Sequence, residues 1–215
     1  MAVIAHPTLG VVSYRVDLVS EEPDQQVADT IRLMRDYVRE DWNHPLVVND
    51  AARAYGECSS GDPIEAVFWW TKRQLRFVED ELTAQPFDFR DSVVETLIRP
   101  VDMAALADGR KLGDCDDYVM YAAALLKALG VESRFVTLAA DHRDPTRYSH
   151  VYLAAYRDGW RIPLDISHGP YPGWEAPNQY DKRREWAIFG PDLTAVVGVV
   201  IGAAALALFA GGRGT

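Results

Sequence analysis

The sequence predicts an α+β chain, and three observations carry that reading. Residues 21–42 and 62–80 hold apolar side chains at helical spacing. Residues 114–129 form a third helical run, stopped by Gly130, with a β-branched stretch directly behind it at 131–140. Residues 148–156 and 160–167 flank an Asp158-Gly159 pair, the turn chemistry of a β-hairpin.

Each element has its own justification. VVSYRVDLV (11–19) alternates loosely and is β-branched, which predicts a short strand. In 21–42, Val27, Ile31, Met34 and Val38 recur at three- and four-residue steps, with Arg, Asp and Glu between them. Glu21, Glu22 and Asp24 suit the positive end of that helix dipole. HPLVVNDAARAYGE (44–57) holds a short helix at 48–55, and CSSGDP (58–63) reads as a loop and a boundary. In 62–80, Pro63 stands near N1, and Ile64, Val67, Phe68, Leu75 and Val78 make the buried stripe. Residues 81–111 read as a long connection with short helical pieces. DHRDPTR (141–147) is a polar loop, 168–180 is rich in Pro, Gly and aromatics, and no internal repeat occurs.

Composition excludes several function classes. Of 215 residues, 48% are hydrophobic and 25% charged, and six Trp and ten Tyr supply large bodies for a core. Lys and Arg number 22 against 32 Asp and Glu, a net charge of −10 with no basic run, which argues against a nucleic-acid partner. The two cysteines, Cys58 and Cys115, form no CxxC and no Cys/His zinc spacing. No metal and no cofactor are therefore expected, and no disulfide framework. The opening residues lack a basic segment followed by an apolar one, so no signal peptide is read and the chain is expected to begin in the cytoplasm.

LTAVVGVVIGAAALALFA (193–210) carries no charge. As a helix it would reach roughly 27 Å, near the lower limit for crossing a bilayer. Gly198 and Gly202 make a GxxxG step that permits close helix approach. Two readings stand here: a membrane-contacting helix, or a helix buried in a homo-oligomer or larger assembly.

The chemistry concentrates at LGDCDDYV (112–119). Cys115 falls in the first turn of a helix, where backbone N–H groups and the dipole favour a thiolate. Asp114, Asp116 and Asp117 oppose that charge, so they are expected to point away from the sulfur and to cap the helix. Their spacing lacks the further ligands and glycine of a calcium loop. A base is at hand in the hairpin. With a two-residue turn Arg157 faces Trp160, Tyr152 faces Asp165, and His150 faces Ser167. His150 and Asp165 are then diagonal neighbours on one face; a three-residue turn would put them on opposite faces. The first register gives nucleophile, base and orienter. Cys58, in a Gly/Ser loop without such partners, reads as structural. His142 and His168 read as loop residues that could edge a cleft. Tyr148, Tyr152, Trp160, Tyr171 and Trp174 read as core and rim.

GDCDDYVMYAAALLKALGVESRFV followed by SHVYLAAYRDGWRIPLDIS resembles the transglutaminase-like superfamily of papain-like cysteine enzymes, over roughly residues 62–168. The resemblance implies a papain/transglutaminase-like fold, its nucleophile helix packed on an antiparallel sheet. It implies Cys115, His150 and Asp165 as the catalytic triad. Residues 62–190 would be the catalytic domain, 1–61 an N-terminal strand and helix extension, and 191–215 an apolar C-terminal tail helix. Family members include amide-bond peptidases, acyl-transferring cross-linkers and inactive binding versions, some in phage structural clusters. The expected function is cysteine-dependent acyl transfer on a peptide or protein amide, with hydrolysis favoured over cross-linking. The alternative is an inactive assembly protein, such as a virion component, whose tail docks in partners or membrane. The backbone N–H of Cys115, or a side chain such as Trp69, Trp70 or Gln74, would serve the oxyanion.

Overall fold

An antiparallel hairpin, β1 (Ala2–His6) and β2 (Gly10–Leu18), to whose second strand the later segment Val94–Leu97 adds as a third, leads into three helices: α1 (Pro23–Asp41), α2 (Pro45–Glu57) and α3 (Pro63–Gln74). Next come β3 (Leu75–Phe77), β4 (Val94–Leu97), α4 (Pro100–Ala105) and β5 (Lys111–Gly113). The chain continues through α5 (Cys115–Ala128), β6 (Glu132–Leu138), β7 (His150–Arg157), β8 (Trp160–Leu164) and β9 (Arg183–Ala187). The computed structural model describes residues 2–6, 10–78 and 94–190, with side chains for 19–78 and 96–190. The apolar stretch 193–210, and with it the expected tail helix, lies outside the described residues. Among the described residues no helix is long and apolar enough to cross a membrane.

α5 is the axis of the molecule. Every residue from Asp116 to Leu126 is buried, which fits a helix walled on all sides rather than one lying on a surface. α1, α2 and α3 cover it on one side, and the four-stranded antiparallel sheet, in the order β8-β7-β6-β9, covers the other. Ile31, Met34 and Val38 from α1, Val47 and Ala51 from α2, and Val67, Phe68 and Trp70 from α3 share one core with Leu125, Leu126, Leu153 and Leu164. This is the α+β arrangement expected, with the helix that opens at Cys115 packed on an antiparallel sheet.

Local chemistry sets the ends of α5. The Asp114 side chain accepts from the Asp116 N–H at 3.1 Å and caps the N-terminus. At the other end Gly130 takes φ +79, with Gly130 N–H to Lys127 O at 3.0 Å and Val131 N–H to Leu126 O at 2.9 Å. That double closure turns the chain straight into β6. The hairpin has the two-residue turn, with φ 53 at Asp158 and φ 80 at Gly159, and Arg157 pairs with Trp160.

Several expectations change. α2 starts at Pro45, three residues before the expected start, because the His44 ring accepts from the Leu46 N–H at 3.3 Å and caps it. α3 ends at Gln74, so Leu75 and Val78 are not on its stripe. Leu75–Phe77 instead pair in parallel with Lys111–Gly113, and that tertiary pairing overrides their helical spacing. β1 and β9 were not expected at all. RREWA is polar at most positions, yet Trp186 packs into the core and the strand pairs with the edge of β6.

Candidate active site

The small β3–β5 sheet aims the start of α5. Val78 N–H bonds to Gly113 O at 3.0 Å, holding the residue two before Cys115 against the strand that follows α3. Gly113 is required by packing, since a Cβ there would lie 2.5 Å from the Asp117 side chain. Cys115 is the first residue of α5, and the first helical hydrogen bond runs from Tyr118 N–H to Asp114 O. The half-buried thiol therefore stands at the positive end of a helix that is buried from Asp116 to Leu126.

The three aspartates divide. Asp117 turns away, its Oδ1 accepting from the Ile98 N–H at 2.7 Å in the core. Asp114 and Asp116 remain on the wall beside Cys115, each with a carboxylate oxygen accepting a first-turn N–H. These bonds lower the effective negative charge beside the sulfur, although the carboxylates do not leave its surroundings.

His150, 8% exposed, opens β7, and Asp165, 0% exposed, follows β8. His150 Nε2 and Asp165 Oδ2 are 2.8 Å apart. A carboxylate only accepts, so Nε2 carries the proton and Nδ1 is the nitrogen left for proton exchange. The other oxygen, Asp165 Oδ1, accepts from Ser167 Oγ at 3.3 Å and from the His168 N–H at 3.2 Å. The turn after Asp165 is pinned from α3, where Lys72 Nζ donates to Ile166 O at 3.1 Å and Gly169 O at 2.8 Å. Ser167 Oγ also contacts His168 Nδ1 at 2.9 Å, and the His168 ring stands edge-on to His150 with centroids 4.7 Å apart. Burial first, and the facing charge of His150 second, hold His168 below the ordinary imidazole value. Burial pushes the Tyr118 phenol up to about 12, so it stays a neutral donor to Leu75 O.

Cys115 and His150 line one cavity of about 270 Å³. The same cavity is walled by α1, through Gln26, Val27, Thr30, Ile31 and Met34, and by Arg147 to Val151. Arg147 donates to Gln26 Oε1 at 3.4 Å, which turns the amide so that its NH₂ is the remaining half. None of the helix α3 residues considered for the oxyanion reaches this cavity. Trp70 Nε1 donates to the Tyr121 hydroxyl at 3.2 Å, Gln74 accepts from the Gly109 N–H at 3.3 Å, and Trp69 lines a separate cavity beside Cys58. The sequence offered no local signal for Gln26 and Thr30: they flank the buried stripe of α1, far from the cysteine in sequence. Neither Cys58 nor Cys115 is in a disulfide. His142 is exposed in its loop, beside Asp141 at 3.7 Å.

Residues 61–166 match the model of the transglutaminase-like superfamily. No curated protein matches the chain significantly in sequence. Among solved structures, a candidate cysteine protease from Cytophaga hutchinsonii is 18% identical over 72% of this chain and 49% of its own, with a TM-score of 0.42. A TGase is 12% identical over 71% of this chain and 34% of its own, TM-score 0.36. A chain of the Rad4–Rad23 complex bound to a 6-4 photoproduct UV lesion is 12% identical over 73% and 42%, TM-score 0.38. The chain spans half or less of the length of each.

Proposed function

Residues 61–166 belong to the transglutaminase-like superfamily, and from that premise we propose that the chain is a cysteine-dependent hydrolase of amide bonds in peptides or proteins. The observation that carries this reading is one arrangement: Cys115 at the first position of a buried helix, sharing a cavity with a histidine whose Nε2 lies 2.8 Å from a wholly buried aspartate.

The steps follow from those positions. His150 Nδ1 accepts the Cys115 proton, and the sulfur attacks the amide carbon. A C–S bond forms, and the carbonyl electrons move to oxygen. The Gln26 NH₂, on the facing wall of the same cavity, is the donor assigned to that oxyanion. The C–N bond breaks as His150 returns the proton to the leaving amine. Water then attacks the thioester, His150 taking its proton, and acid and thiol are regenerated. Asp165 holds the imidazole in the required tautomer throughout and stabilises its charged form. Hydrolysis is favoured over transfer to an amine because it needs no second substrate site.

The test is turnover of a peptide-amide library by the wild type, Cys115→Ala and Cys58→Ala. Loss on the order of 10⁴ or more with Cys115→Ala, and none with Cys58→Ala, is the expected result. Equal turnover by the wild type and Cys115→Ala sinks the assignment. A wild type that turns over nothing and forms no thioester returns the chain to the scaffold reading.

A further inference from the structure

The geometry points to a divalent transition-metal site formed by His150, Asp165 and His168, whose occupation by Zn²⁺ takes the base out of service. One donor atom from each of the three residues lies within 4.8 Å of the others. No metal motif joins them in sequence; the hairpin and the turn after β8 bring them together.

Two imidazoles and a carboxylate are the donor set that Zn²⁺ and its neighbours prefer, with a fourth position for water. Calcium and magnesium require more oxygen ligands than this group offers. Tetrahedral bonds of about 2.0 Å separate ligand atoms by roughly 3.3 Å. His150 Nε2 lies 2.8 Å from Asp165 Oδ2 and His168 Nδ1 lies 3.8 Å from the other oxygen, Oδ1, so the carboxylate stands between the two imidazoles with one oxygen toward each. Side-chain rotation must bring one of these oxygens and both ring nitrogens to that tetrahedral spacing. Two ligands are buried, and the third, His168, has a side chain 57% exposed, so the ion has a route from solvent. The His168 ring makes no hydrogen bond to His150; it stands edge-on to it and contacts Ser167 Oγ at 2.9 Å, a contact that opens when the nitrogen turns to a metal. As the metal takes the Nε2 lone pair between imidazole and carboxylate, the His150 proton passes through solvent from Nε2 to Nδ1, the tautomer that a metal-bound neutral imidazole requires. Nδ1 is then an N–H donor with no lone pair, so it cannot accept the Cys115 proton.

The inhibitory half of this inference rests on the cysteine-hydrolase reading; the binding half does not. The full chain is titrated with Co²⁺, whose visible absorption reports tetrahedral coordination, and Zn²⁺ is then used to displace it. The variants are His168→Asn, which keeps a polar side chain beside Ser167, and Cys115→Ser. Matched circular dichroism and melting establish that each is folded. Saturable one-to-one binding is expected, weakened at least about tenfold in His168→Asn and unchanged in Cys115→Ser. Zn²⁺ should slow alkylation of Cys115 in the wild type and lose that effect in His168→Asn. Absence of saturable binding, equal affinity in His168→Asn, or a thiolate–cobalt charge-transfer band that vanishes with Cys115→Ser overturns the site. Binding without any slowing of alkylation overturns the inhibition. Absence of turnover in metal-free protein counts against the hydrolase reading alone, because the isotherm still decides the site.

Discussion

The molecule holds its two cysteines at opposite ends of helices. Cys115 is the first residue of α5, where the positive end of the helix dipole favours negative charge; Cys58 is the C-cap of α2, where the negative end opposes it. Each lines a cavity, of about 270 Å³ for Cys115 and about 200 Å³ for Cys58. The first contains a histidine. The second contains Trp69, Trp70, Glu65 and Arg73 but no histidine, and its thiol contacts Ser60 Oγ at 3.2 Å and Asp62 O at 3.7 Å. Size and the presence of a thiol do not separate the two cavities. Helix polarity and a neighbouring imidazole do.

The sharpest way to break this contrast is to remove the imidazole's support. Asp165→Asn leaves the shape of the turn but frees the wrong tautomer. Turnover should fall by about 10³–10⁴. Iodoacetamide alkylation followed by peptide mapping reads both thiols in one sample. The titration midpoint of Cys115 should move up in His150→Ala, and that of Cys58 should not move. A Cys115 midpoint indifferent to His150 would erase the distinction. A smaller effect is expected from the opposite wall. Under the proposed mechanism, which gives the amide to the oxyanion and not to the thiol, Gln26→Ala should cost about 10² in kcat with little change in alkylation. Equal loss in both readouts would mean that Gln26 only supports the cavity.

The His150–Asp165 geometry was legible because it depends on local rules. Asp158-Gly159 specifies a two-residue turn, that turn fixes the register, and the register puts His150 and Asp165 on one face. Gly130 and the Asp114 cap likewise mark the ends of α5 from neighbouring residues alone. What was not legible depends on distant partners. Leu75 continues a helical stripe in sequence but leaves the helix to pair with Lys111. β9 opens with three charged residues, Arg183, Arg184 and Glu185, and becomes a strand because the edge of β6 is open to it. Gln26 flanks a helix stripe, and nothing near it in sequence marks it as the facing wall of Cys115's cavity. Trp69, Trp70 and Gln74 belong to the helix that precedes the cysteine in sequence, but α3 turns those side chains toward Tyr121, Gly109 and the Cys58 cavity.

Two glycines extend the contrast to stability. A Cβ at Gly113 would sit 2.5 Å from Asp117, a buried side chain bonded to Ile98. Gly113→Ala should cost about 1–3 kcal/mol through overpacking, and should lower turnover further by shifting the start of α5. Gly61, near Cys58, has φ +67 and nothing within 4 Å of a Cβ. Gly61→Ala should cost only about 1 kcal/mol of backbone strain and leave turnover intact. Urea melts paired with turnover separate the two. Equal stability costs, or a turnover loss at Gly61, would remove Gly113's link to the nucleophile.

The smallest effect belongs to a third region, on the sheet face behind Tyr152, which contains neither cysteine. Arg161 holds Glu175 Oε1 and Glu185 Oε1, each at 2.5 Å, and Tyr156 donates to Glu185 at 2.6 Å. Burial opposes the charge of both carboxylates, but the Arg161 and tyrosine hydrogen bonds outweigh it and hold both below the ordinary glutamate value. A carboxylate depressed in the folded state contributes stability that is complete above its unfolded value of about 4.3 and is lost as pH falls through the lower folded value. Thermal melts should therefore be flat toward neutrality and decline below about pH 4. Glu185→Gln should melt lower near neutrality and lose less on acidification than the wild type, because it has one less carboxylate to protonate. Above that range the Cys115-to-Cys58 alkylation ratio should be the same in Glu185→Gln and wild type, since the cluster is separate from both thiols. A ratio that follows Glu185 would instead couple the outer face of the sheet to the Cys115 cavity through Tyr152, whose ring stacks on His150 at 6.0 Å and whose hydroxyl bonds Glu175.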